Sequence, residues 1–89
     1  MSDGDWRLMG QERYLADAVL TWATWRPVKP GWDHDHCAFC QAEISDRPID
    51  EHTAYNAAWV TSPDQANWIC PVCFADFQVR FRWNVAQAE

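Results

Sequence analysis

Cys37-Ala38-Phe39-Cys40 and Cys70-Pro71-Val72-Cys73 are the two stretches on which the fold of this chain turns. A C-x-x-C turn brings two sulphurs to the same side of a tight loop, about 3.5–4 Å apart. Two such pairs, separated by 29 residues, make a four-sulphur set that suits a tetrahedral ion with Zn–S near 2.3 Å. One C-x-x-C alone is weak evidence, whereas two in a chain of 89 residues are a specific signal. The expectation is one structural Zn²⁺ held by Cys37, Cys40, Cys70 and Cys73, with iron as the chemical alternative.

A chain this short buries only about 60–65% of the surface its unfolded form exposes, so its core needs a staple. Disulfides are the other staple that four cysteines offer, and they require an oxidising compartment. Met1 to Arg7 is polar and carries Asp3 and Asp5 where a secretory segment has basic and then apolar residues. No apolar run approaches the roughly 18 residues of a membrane span. The expected location is therefore the cytoplasm, where thiols stay reduced and bind metal. A thioredoxin-like redox pair would want a larger βαβ unit.

Working outward from the cysteines, Ala57 to Thr61 and Asn67 to Cys70 read as a hairpin around Ser62-Pro63-Asp64-Gln65, which is strong turn chemistry. After Cys70 the period becomes helical. Phe74, Phe77, Phe81 and Val85 form one apolar stripe, and Pro71 suits the first helical position. Loop knuckle, hairpin, then a helix bearing the second pair is the order of a treble-clef zinc finger. The expected fold is thus small α+β, a metal-stabilised treble-clef-like domain over residues 1–89, with 1–31 packing as an extension on a 32–86 zinc core. Within the extension, Asp5 to Ala18 reads as a helix with Leu8, Leu15 and Val19 on one face. Val19 to Trp25 reads as a strand by its period of two, with a continuing helix as the competing reading. Pro27 and Pro30-Gly31 end it, and Gln41 to Tyr55 reads as a loop with at most a turn of helix.

Asp33-His34-Asp35-His36 runs straight into the first pair. Its functional reading is catalytic, since His-Asn-His metal-dependent nucleases share the treble clef and set an Asp-His dipeptide on the hairpin between the pairs. Here the run lies before the first pair, His52 alone stands between them, and no histidine follows on the last helix. A zinc deaminase fits less well, because it needs H-x-E and an open metal position. The expectation is that Asp33, His34, Asp35 and His36 support the loop presenting Cys37 by hydrogen bonding.

The net charge of −6 opposes general binding to phosphate backbones, leaving Arg80 and Arg82 as the basic feature of a DNA-binding alternative. Seven tryptophans are more than so small a core takes easily. Trp25, Trp32 and Trp59 are candidates for an interaction surface, where tryptophan is enriched. Together these point to a non-catalytic protein-interaction module for a basic partner, of inhibitor or immunity type, with a diverged nuclease as the rival.

Trp32-Asp33-His34-Asp35-His36-Cys37-x-Phe39-Cys40, with Trp68-Ile69-Cys70-x-x-Cys73-Phe74-x-Asp76-Phe77, Phe81-x-Trp83 and Gln11-Glu12-x-Tyr14-Leu15, resembles a group of small uncharacterised bacterial proteins. The resemblance implies a bacterial cytosolic protein with zinc at the four cysteines, and carries no activity with it. Ala57-Ala58-Trp59 departs from the Gly-Tyr strand entry it implies, which bears on the register of the hairpin.

Overall fold

A strand from the first third of the chain lies inside the main sheet. The computed structural model describes residues 6–27, 30–62 and 66–86. In it, β1 (Val19–Thr24) pairs antiparallel with β4 (Ala57–Thr61), which pairs with β5 (Trp68–Ile69). Its other edge takes β6 (Asn84–Val85) in parallel, giving the order β5-β4-β1-β6. The β-branched and aromatic residues of Val19–Thr24 suit this pleated surface, and the helical alternative for the segment is not adopted. Trp59 opposes Ile69 and Val60 opposes Trp68, which gives the register that Ala57-Ala58-Trp59 had put in question. Pro63, Asp64 and Gln65 of the expected turn lie outside the described residues.

A second, two-stranded sheet joins β2 (Asp35–His36) to β3 (Glu43–Ile44) around the first cysteine pair. This corrects the loop expected over Gln41 to Tyr55. Two-residue strands carry no readable period, and β3 is held by bonds distant in sequence: Ala54 and Tyr55 N–H both donate to the Glu43 carbonyl.

The expected Asp5–Ala18 helix is also corrected, since α1 spans only Glu12–Leu15. Gly10 sits at φ +86°, and the Gln11 side chain, buried, donates to the carbonyls of Arg7 and Ala38. Downstream, Asp17 is at φ 63° and its N–H goes to the Phe81 carbonyl. Tertiary hydrogen bonds therefore outweigh the helix propensity of the segment. Leu15 is buried, whereas Val19 is exposed on a strand, so the two share no helix face.

The last helix, α2 (Pro71–Phe81), begins as expected with proline at its start, and Cys70 is its N-cap. It stops before Val85. Arg82 takes a left-handed conformation (φ 56°), and its N–H closes on the Gln78 and Val79 carbonyls. The chain then turns into β6, and Val85 is exposed rather than part of the apolar stripe.

Aromatic rings fill the space between α2 and the sheet. Phe39, from the first C-x-x-C, meets Phe77, Phe81 and Trp83 at centroid distances of 4.9, 5.3 and 5.8 Å. Trp59 of β4 stacks on Phe74 of α2 at 4.2 Å. Buried indoles also need a partner for their N–H. Trp83 donates to the Leu15 carbonyl and Trp25 to Asp35, both at 2.8 Å. Among the described residues no helix is long and apolar enough to cross a membrane.

Candidate metal centre

The fold brings Cys37, Cys40, Cys70 and Cys73 together, with their sulphurs all within 4.8 Å of one another. Cys37 and Cys40 sit on the turn between β2 and β3. There the Gln41 N–H returns to the Cys37 carbonyl, and Cys37 N–H donates to the Ala42 carbonyl. The tight return places Gln41 at φ 70°. Cys70 and Cys73 occupy the start of α2, whose dipole favours negative sulphur. A parallel bridge between Cys37 and Trp68, with Ala38 N–H donating to the Trp68 carbonyl, fixes the knuckle against the strand that leads into Cys70.

The donor set fits one tetrahedral metal ion such as zinc. Four Zn–S bonds of about 2.3 Å place sulphurs about 3.8 Å apart, and Cys40 Sγ lies 3.6 Å from Cys70 Sγ. Cys37, Cys70 and Cys73 are buried, and Cys40 is half-buried. Backbone amides point at the cluster: Phe39 and Cys70 N–H donate to Cys37 Sγ, and Cys73 N–H donates to Cys70 Sγ, each at 3.4 Å. Such donors stabilise thiolate.

The sulphurs differ in acidity. Hydrogen bonds from Cys70 and then Cys73 hold Cys37 far below the usual thiol range, against the effect of burial. The bond to Cys37 pushes Cys70 up to about 11, and bonds to Cys37 and Cys70, with burial, raise Cys73 as well. Burial, then the negative sulphurs, also raises the Tyr55 phenol beside them.

Arg7 is the residue beside the cluster that the sequence did not reveal. Its guanidinium donates to Cys73 Sγ at 3.5 Å and to Asp76 at 3.0 Å, and lies 4.5 Å above the Phe77 ring. Gln11 places it by holding the Arg7 carbonyl and the Ala38 carbonyl of the knuckle with one amide. Nothing local to Arg7 signals this, because the contact spans 66 residues. Trp6, Arg7, Tyr55, Val72 and three of the cysteines line an open cleft of about 570 Å³ over the cluster.

The hydrogen bonds of the Asp33–His36 run lead away from the sulphurs. Asp35 accepts both the Trp25 and Trp32 indole N–H groups at 2.8 Å. Asp33 pairs with Arg47 and with His34 Nδ1, and the His34 and His36 rings meet edge to face at 4.7 Å. Of the tryptophans put forward for a surface, Trp32 is exposed and Trp59 is half-buried on Phe74. Trp25 is corrected: at 1% exposure it belongs to the core, with its N–H donated to Asp35. Trp6 and Trp22 are exposed in its stead. No protein-family model matches this chain, and no curated protein or solved structure matches it.

Proposed function

We propose that the four cysteines bind one structural zinc in a treble-clef-like arrangement, and that the protein is a non-catalytic protein-interaction module for a basic partner, of inhibitor or immunity type. The observation that carries the first part is the cluster itself. Four sulphurs from a β-turn and a helix start converge in a mostly buried setting, and four thiolates leave no coordination position for water or substrate. The order of β2–β3 knuckle, β4–β5 hairpin and α2 supports the treble-clef reading.

The interaction part rests on charge and on exposed indoles. A net charge of −6 steers association with a basic surface. Trp6, Trp22 and Trp32 remain exposed in a domain that buries Trp25, Trp68 and Trp83. Asp35, which accepts from Trp32, holds one of them in place.

Cys70→Ser should lose the metal and unfold, since structural zinc binding is coupled to folding. Affinity capture at low salt, with wild type beside Trp32→Ala and Trp22→Ala, should retain a basic protein that the variants and raised salt release. Metal-dependent plasmid nicking that disappears in His34→Ala or His36→Ala would overturn the non-catalytic reading.

A further inference from the structure

His34, His36 and Glu43 form a second group of metal-ligating side chains, on the outer part of the knuckle hairpin, with donor atoms all within 4.8 Å of one another. His34 stands just before β2 and His36 within it; their rings meet edge to face at 4.7 Å, while Asp35 between them turns to the indoles of Trp25 and Trp32. Glu43 stands opposite His36 in the β2–β3 register.

Two of the three ligands, His34 and Glu43, are already oriented by a neighbour. Asp33 occupies the Nδ1 side of His34 at 3.1 Å and is itself paired with Arg47. In the proposed site Nε2 of His34 takes the metal, and Asp33 on Nδ1 completes a carboxylate–histidine–metal arrangement. The buried Thr53 hydroxyl donates to one Glu43 oxygen at 3.2 Å and bonds the buried Ser45 hydroxyl at 3.0 Å, leaving the other carboxylate oxygen of Glu43 available. His36 is exposed, while His34 and Glu43 are half-buried, so the group faces solvent.

We propose that His34, His36 and Glu43 bind a second divalent transition-metal ion in an open, exchangeable site. Two imidazoles and one carboxylate are donors that suit zinc, cobalt, nickel or ferrous iron, and not magnesium or calcium. Three protein ligands leave at least one coordination position for water or an external donor, in contrast to the closed four-sulphur site. Donors bound at about 2.1 Å in a tetrahedron lie about 3.4 Å apart, so the side chains need to close by at most about 1.4 Å from their 4.8 Å limit.

The test starts from protein carrying one tightly bound zinc and adds Zn²⁺ at micromolar free concentration, following bound metal by equilibrium dialysis and the histidine ring nitrogens by NMR. Wild type should take up a second equivalent, with the shifts at His34 and His36 and none at His52. His36→Ala and Glu43→Gln should each abolish the second equivalent while retaining the first. Asp33→Asn, which removes the orienting carboxylate, should weaken it by about 10–100-fold. Failure of wild type to bind the second ion, or equal binding by Glu43→Gln, would overturn the proposal.

Discussion

Replacing Arg7 with methionine tests whether the protein tunes its metal centre from outside the four ligands. The substitution keeps an apolar stem over Phe77 and removes the charge. Three contacts to described residues are lost, and they act differently. The pair with Asp76 joins a group that is about half exposed, so it contributes at most about 0.5 kcal/mol. The guanidinium over Phe77, at 4.5 Å, contributes about 0.5–1 kcal/mol. Both act with or without metal and register in stability. The bond to Cys73 Sγ differs, because bonds to Cys37 and Cys70 raise the Cys73 thiol, whereas a zinc ligand is thiolate. A hydrogen bond to a charged acceptor contributes about 1.5–3 kcal/mol. At 3.5 Å and to sulphur, the lower end applies, so the metal dissociation constant should rise about tenfold. Competition against a chromophoric chelator at fixed pH measures this. Arg7→Lys should fall between, since an ammonium cannot span Cys73 and Asp76 as a planar fork does. An unchanged dissociation constant in Arg7→Met, with only the melting temperature lowered, would show that Arg7 packs and does not stabilise thiolate.

Phe39→Ala removes a fully buried ring that touches Phe77, Phe81 and Trp83, and should cost about 3–5 kcal/mol in urea denaturation of the metal-loaded protein. Asp35→Ala leaves the buried Trp25 indole N–H without its acceptor and should cost about 1–3 kcal/mol, whereas Asp35→Asn keeps one acceptor oxygen and should cost less. Metal binding must remove the protons that Cys70 and Cys73 hold more tightly than an ordinary thiol. The loaded form therefore carries fewer protons, and affinity rises with pH. Between pH 6 and 8 the dissociation constant should weaken by roughly a hundredfold or more for each unit of acidification. Calorimetry in two buffers of different ionisation enthalpy should count about two or more protons released, and a pH-independent affinity would contradict the assignment.

The four-cysteine cluster was legible because C-x-x-C spacing is a local geometric constraint, and so was the start of α2, where Pro71 and Cys70 act locally. The β4–β5 pairing was also readable from alternation and turn residues. What escaped depended on contacts distant in sequence. The N-terminal helix is cut short by Gln11 and Asp17, whose bonds reach Ala38 and Phe81. The helix end at Arg82 needs a positive φ that arginine does not advertise, and β6 exists only because β1 offers an open edge. Glu43 joins the histidines through a register that two-residue strands conceal. Trp25 looked like a surface residue because nothing in its local sequence shows that Asp35 satisfies its N–H from within the fold.

X-ray absorption at the zinc edge, with metal quantified in the same sample, tests the central claim most directly, using protein purified without added metal and dialysed into metal-free buffer. One zinc per chain with four sulphur neighbours near 2.3 Å is the predicted result. A chain with no metal and two disulfides among Cys37, Cys40, Cys70 and Cys73, or a zinc bound mainly by nitrogen and oxygen, would contradict it.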